Sequence, residues 1–299
     1  MSNRGPRWKI AIAALFFSTA FVLGVVSPSV GTTGGSMKST LHEGLLRARE
    51  GKADHPAAVE AFGRLAREFG TPLYIYDREI IDEQVRILTE AFGAYFPNLK
   101  VFYALKANSN LSIISILRQK GFGGEVISGG EILTARKVGI PGSEIMFTSS
   151  SKSPWEIELA VKEDVILNLD SLDDLDHVEA VASKMGKTAR ISFRVNPGVA
   201  PHTIHQINTG ISESKFGLHF EEGIAFSAYR RALKYPHVKI AGLHCHIGSQ
   251  ITKPEGYLLA AKKLLEFARE LKEKLGIKLE FIDLGGGIGI PYRDGETVM

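Results

Sequence analysis

The sequence predicts an α/β fold, a (β/α)8 barrel, from three observations. Eight short runs rich in β-branched and aromatic residues recur from residue 71 onward. Each is followed by a polar or glycine-containing turn and then a stretch of helical period. The first six runs stand about 20 to 30 residues apart, the length of a parallel strand plus its crossover helix, and a set of eight suits a closed barrel better than an open sheet.

In chain order the runs are 71–76, 100–105, 124–127, 144–148, 165–169, 190–195, 239–245 and 278–283. The segments between them read as helices. Over 254–275, Ala261, Leu264, Leu265, Ala268, Leu271 and Leu275 mark one face, with Lys and Glu on the other.

The 299 residues suffice for one large domain or two small ones. A net charge of +3 with both signs spread along the chain gives no basic stripe for a phosphate backbone, which argues against nucleic acid. An apolar content of 44% excludes disorder. One cysteine, Cys245, can make neither an internal disulfide nor a multi-cysteine zinc site. It fits a reducing compartment, and a cytoplasmic location is expected.

The N-terminal end is less ordinary. After Arg4, Arg7 and Lys9, residues 10–26 form an uncharged apolar run. It reads as a signal-peptide core, as a short membrane anchor, or as an extension translated from a misplaced start, and it is marginal for a spanning helix, which wants about 20 residues. Only the second reading implies membrane contact. A linker of small residues follows, then Met37. The expected organisation is an extension over 1–36, a lead-in over 37–70, and a barrel over 71–299 that is incomplete at its C-terminus.

In a (β/α)8 barrel the chemistry sits where strands end. Lys106 follows the second run, which predicts a partly dry, nucleophilic amine; a lysine that merely snorkels to solvent is the competing reading. After the eighth run stands Asp283-Leu-Gly-Gly-Gly-Ile-Gly289, where Gly285, Gly286 and Gly287 suit an anion cradle. A dinucleotide fingerprint fails, because Ile290 stands where its third glycine should be and Pro291 follows. The seventh run ends in His244-Cys-His-Ile-Gly-Ser249, which would also suit a metal. No carboxylate set completes such a site, so no metal is expected. His246 is read as a ring-stacking imidazole, His244 as a core histidine, and Ser249 as a phosphate donor. Ser128 to Glu131, Arg194 to Gly198, and Asp170 with Ser171 add polar strand ends that taken singly are caps and turns. Together these residues suggest a phosphorylated aldehyde cofactor held covalently by Lys106.

Several motifs occur in one order: Phe102-Tyr-Ala-Leu-Lys-Ala-Asn108, Val126-Ile-Ser-Gly-Gly-Glu131, Asn196-Pro-Gly198, His202-Thr-Ile-His205, Ser214-Lys-Phe-Gly217, Leu243-His-Cys-His-Ile-Gly-Ser-Gln250 and Asp283-Leu-Gly-Gly-Gly287. With them, residues 60–294 resemble the barrel-type (fold-type III) pyridoxal-phosphate-dependent amino acid decarboxylases, and among these the diaminopimelate decarboxylases. The resemblance implies a barrel of the alanine racemase and ornithine decarboxylase type and pyridoxal 5'-phosphate as cofactor. It also implies decarboxylation of a small-molecule amino acid, meso-2,6-diaminopimelate, to L-lysine and carbon dioxide, the last step of lysine biosynthesis, by a homodimer. It makes Lys106 the covalent attachment point, His246 the stacked imidazole, and Ser249 with Gly285 to Gly287 the phosphate ligands. Glu125, Glu131 and Arg194 match the family's acids and arginine near the cofactor.

Two departures stand out. Phe147-Thr-Ser-Ser-Ser-Lys152 replaces a glycine and asparagine common before that lysine. The family's Glu-Pro-Gly-Arg motif and the C-terminal β domain that follows it do not occur after Gly289, so the chain is expected to be an incomplete representative. Three alternatives remain open: a decarboxylase of arginine, ornithine, lysine or carboxynorspermidine; a non-catalytic pyridoxal-phosphate-binding protein; and a lyase using Lys106 without a cofactor.

Overall fold

The computed structural model describes residues 9–14, 43–44, 47, 54–199, 216–220 and 223–290. The chain divides into two compact units, one of Met1–Ser18 with Leu88–Met299 and one of Thr19–Ile87.

β1 (Lys9–Ala14) belongs to the larger unit. In the smaller unit, α1 (Pro56–Phe69) starts on His55, whose ring nitrogen accepts from the Ala57 amide at 3.3 Å, with Pro56 in the first turn. It buries Ala58, Ala61 and Leu65 on one stripe. Leu65 packs on Ile75, with Phe62 and Leu73 beside them. Here the structure departs from the pattern expected of the sequence: 71–76 does not form a barrel strand and contributes only an isolated bridge at Ile75. Pro72 has no amide to donate to a ladder, and the apolar residues Leu73 and Ile75 are already used against α1. α2 (Arg78–Gly93) follows, with the Asp77 side chain accepting from the Glu79 amide at 2.8 Å.

The other seven predicted runs fold as expected. They are β2 (Lys100–Ala104), β3 (Gly123–Val126), β4 (Ile145–Thr148), β5 (Ile166–Leu169), β6 (Ala189–Asn196), β8 (Val238–His244) and β9 (Phe281–Asp283), with a two-residue β7 (Leu218–His219) beside β6. All pair in parallel, in the order β5-β4-β3-β2-β1-β9-β8-β6, and β6 pairs back to β5 to close the ring. The eighth place, between β9 and β2, is taken by β1, which comes from the N-terminal apolar run. The rest of that run, 15–26, lies outside the described residues. No helix among the described residues is long and apolar enough to cross a membrane.

The helices between the strands are α3 (Leu111–Gln119), α4 (Gly129–Lys137), α5 (Pro154–Lys162), α6 (Leu172–Met185), α7 (Ile224–Ala232) and α8 (Glu255–Leu275). Side-chain caps start several of them: Asn110 for α3, Ser128 for α4, a Ser153–Glu156 capping box for α5, and Ser171 for α6. Gly186 and Gly276, both left-handed, end α6 and α8.

Strand alternation sorts the side chains. Facing the helices are Tyr103, Phe147, Leu167, Phe193 and Leu243, all buried. In the barrel interior, Phe102, Met146, Ile166 and Phe281 cluster near the strand starts. Gly242 belongs to this layer because a Cβ there would lie 2.2 Å from the Phe281 ring. Toward the strand ends the interior turns polar, with Glu125 on β3, Thr148 on β4, Asn168 on β5, Ser192 and Arg194 on β6, His244 on β8 and Asp283 on β9.

Candidate cofactor site

The polar layer opens at the C-terminal ends of the strands into a pocket lined by Lys106, Glu125, Thr148, Arg194, His244, His246, Gly285 and Gly286. Its walls come from β2, β3, β4, β6, β8 and the turn after β9.

The glycine turn is fixed from below by Asp283, the fully buried last residue of β9. Its Oδ1 accepts from the Gly285 amide at 2.8 Å, and its Oδ2 lies 2.8 Å from Nδ1 of His244. Gly285 and Gly287 have φ of +73° and +94°. A Cβ on Gly285 would lie 2.5 Å from the Cys245 carbonyl oxygen, and one on Gly287 only 1.9 Å from that of Gly248. Both positions therefore require glycine, by conformation and by close approach.

The turns after β8 and β9 are zipped together. Cys245 N–H donates to Asp283 O at 2.9 Å, Ile251 N–H to Gly287 O at 2.9 Å, and Gly289 N–H to Ile251 O at 2.8 Å. Because the Gly285 amide is committed to Asp283, an anion in the pocket would meet this turn at Gly286. The Gly286 amide makes a long bond of 3.4 Å to Nδ1 of His246, and its carbonyl accepts from the Tyr257 hydroxyl at 2.8 Å.

His246 is partly buried at the pocket wall. Desolvation, followed by the nearby positive charges of Arg194 and Lys106, holds its pKa well below the usual histidine value. The ring is neutral at pH 7, and its Nδ1 accepts from Gly286. Arg194 is itself desolvated, which lowers its pKa against the opposing pull of Asp170 and Glu125, and its guanidinium stands over the Phe216 ring, 4.7 Å from the centroid. Glu125 is buried. Asp170 stands behind Arg194 with its carboxyl pKa raised by desolvation. Neither of its oxygens has a hydrogen-bond partner among the described residues.

Lys106 sits on the single 3₁₀ turn Leu105–Ala107 that ends β2, with its amine toward the pocket. The dry environment predicted for it is not found, because the side chain is exposed. The turn carries the lysine past the last paired residue of the strand, beyond the cover of the barrel wall.

Of the residues singled out in the sequence, Lys106, Glu125, Arg194, His246, Gly285 and Gly286 meet in one pocket. Glu131, Ser249 and Gly287 do not line it. Glu131 sits in the first turn of α4, where its Oε2 accepts from the Ile127 amide at 2.8 Å, and desolvation raises its carboxyl pKa. Ser249 and Gly287 lie against each other in the zipped turns behind the pocket. His202 to Thr209 fall outside the described residues.

Two wall residues are not assigned to the site by the sequence. Thr148, the last residue of β4, is singled out by no motif, and His244, expected to be a core histidine, is tied through only one nitrogen. The signal for both is present in the sequence: at the strand ends, inward positions two apart turn from apolar to polar, as in Met146 to Thr148 and Ile166 to Asn168.

An amine, a neutral imidazole, a guanidinium, a carboxylate and a glycine turn lining one pocket suit a flat phosphorylated aldehyde. Among the described residues, no group of three or more His, Cys, Asp and Glu is placed to hold a metal ion.

The chain is similar to known proteins along most of its length. Residues 79–299 match the family model for the pyridoxal-dependent decarboxylase, pyridoxal binding domain. The curated diaminopimelate decarboxylase of Methanocaldococcus jannaschii is 40% identical over 239 residues, which is 78% of this chain and 54% of that protein. That of Archaeoglobus fulgidus is 41% identical over 229 residues, 77% of this chain and 53% of the relative. The chain thus spans about half the length of the curated relatives it matches. A crystal structure of diaminopimelate decarboxylase from Helicobacter pylori complexed with L-lysine superposes with a TM-score of 0.74 at 39% identity, over 80% of this chain and 59% of that one. The M. jannaschii enzyme superposes with a TM-score of 0.74 at 38% identity, over 79% and 55%. The family model covers well over half of the chain and coincides with the barrel that carries the pocket, and on this ground the chain belongs to the pyridoxal-dependent decarboxylases, by way of their pyridoxal-binding domain.

Proposed function

We propose that this chain binds pyridoxal 5'-phosphate through Lys106 and serves the decarboxylation of meso-2,6-diaminopimelate to L-lysine and carbon dioxide. The observation that carries the proposal is the convergence of Lys106, His246, Arg194, Glu125 and the Gly285–Gly286 turn on one pocket, from five separate strand ends. The choice of substrate is supported by the relatives at about 40% identity, which are diaminopimelate decarboxylases, and by the L-lysine complex among the structural neighbours.

When bound, the cofactor supplies a sink for the electron pair released as the bond to the departing carboxyl breaks. The chain's own residues hold and orient. Lys106 Nζ would be the amine for covalent attachment, and its exposed position would leave it open to an incoming substrate. His246, kept neutral, offers a flat uncharged face. The Gly286 amide, at the pocket wall, would meet the phosphate. Arg194 provides a fixed positive charge that Glu125 and Asp170 balance, so the pocket gains a directed field without a large net charge.

The test supplies the chain with pyridoxal phosphate and, separately, meso-diaminopimelate, L-ornithine, L-arginine and L-lysine, and measures carbon dioxide and amine product. Release of L-lysine from diaminopimelate alone, at a rate above that of the Lys106→Ala variant, is expected. Turnover of another amino acid in preference, or none above that variant, contradicts the proposal.

A further inference from the structure

His244 is all but inaccessible to solvent, at 1% exposure, yet it lines the pocket. Its Nδ1 faces Asp283 at 2.8 Å, while its Nε2 is buried and has no hydrogen-bond partner among the described residues. A carboxylate that already accepts from the Gly285 amide accepts from Nδ1–H as well. That fixes the ring's orientation and directs the remaining nitrogen away from Asp283. Leaving a buried polar nitrogen unpaired costs about 1–3 kcal/mol, and side chains so arranged are found where a ligand completes the bond. The surrounding wall has the same character. Thr148 Oγ1, in the same pocket wall, and Asn168 Nδ2, on β5 next to β4, are also buried without partners among the described residues. By contrast, Ser192 Oγ, on the same interior face, is satisfied by Asn168 Oδ1 at 2.8 Å.

We propose that His244 is a further cofactor-contacting residue: Asp283 holds its ring so that Nε2 makes a hydrogen bond to a polar atom of the bound pyridoxal ring. This rests on the pyridoxal reading of the pocket. One carboxylate then serves two parts of the site, since Asp283 orients both the glycine turn and the imidazole.

Two substitutions separate the halves of the ring. The amide of His244→Asn reaches where Nδ1 was and keeps the tie to Asp283, whereas that of His244→Gln reaches where Nε2 was. The dissociation constant of pyridoxal phosphate is measured by visible absorbance for the wild-type chain and both variants, with circular dichroism as a check on folding. Loss of one buried hydrogen bond predicts roughly tenfold weaker binding for His244→Asn, and His244→Gln should stay within about threefold of wild type. His244→Asn binding as tightly as wild type, or His244→Gln as weak as His244→Asn, overturns the inference. A second measurement needs no variant: on adding pyridoxal phosphate to the wild-type chain labelled with 15N-histidine, the His244 Nε2 resonance should shift, and an unmoved resonance overturns the inference. A wild-type chain that takes up no pyridoxal phosphate defeats the underlying reading instead, and that outcome is visible before any variant is compared.

Discussion

His244 and Asp283 face each other across adjacent strands at the floor of the pocket, with Nδ1 of the one 2.8 Å from Oδ2 of the other. The contact is almost wholly buried, at 2% and 0% side-chain exposure, so the carboxylate depends on this partner and on the Gly285 amide for the solvation it has lost. Asp283→Ala leaves both donors unpaired and is expected to lower stability by about 3 kcal/mol. Asp283→Asn keeps one acceptor and should lose less. Chemical denaturation of the two variants measures the difference.

Gly287→Ala meets two obstacles, a φ of +94° and a backbone oxygen 1.9 Å from the new methyl group. The expected loss of stability is about 2–4 kcal/mol, more than a positive φ alone costs. Gly139→Ala is the matched control, with φ of +83° and nothing within 4 Å of the added Cβ, and its loss should be near 1 kcal/mol. Comparing the two denaturation midpoints separates strain from crowding.

The depressed pKa of His246 gives a pH dependence of definite sign. The unfolded chain takes up a proton near the ordinary histidine value of 6.5, whereas the folded chain does so only well below it. Between those two values the unfolded state binds more protons, so the contribution of His246 is fully present above about pH 6.5 and is lost as pH falls. The melting temperature of the wild-type chain should drop from pH 7 to pH 5 more steeply than that of His246→Phe. Parallel slopes would contradict the assignment.

Much of this fold is legible in the amino-acid sequence. Seven of eight strands stand where β-branched runs occur, because a parallel strand buried on both faces must be apolar for most of its length. The exception, 71–76, shows the limit of that signal: Leu73 and Ile75 alternate like strand residues, but their partners are in α1. Composition alone does not say which surface an apolar face will meet. In the site, Lys106, His246 and the glycine turn are readable because each stands immediately after a strand. The exposure of Lys106 is not, since it depends on how far one short turn carries a side chain beyond the wall. Nor does the sequence show that Glu131 is consumed in capping Ile127, or that His244 is satisfied on one nitrogen only.

Gly242→Ala tests the packing beneath the pocket. The added methyl group would lie 2.2 Å from the Phe281 ring, in the plug that closes the barrel interior. Overpacking there should cost about 1–3 kcal/mol, read by thermal denaturation, and Phe281→Leu in the same chain should restore part of the loss.

The central claim, that Lys106 is the attachment point for the cofactor, is tested most directly by mapping the modified peptide. The chain is loaded with pyridoxal phosphate, reduced with borohydride to make the carbon–nitrogen bond permanent, digested, and analysed by mass spectrometry. The site's geometry predicts one dominant adduct, on the peptide containing Lys106, and its disappearance in Lys106→Ala. The informative rival is Lys152, which also follows a barrel strand but is buried against Asp174, 3.5 Å away. An adduct on Lys152, or modification spread over surface lysines with no preference for Lys106, would contradict the account.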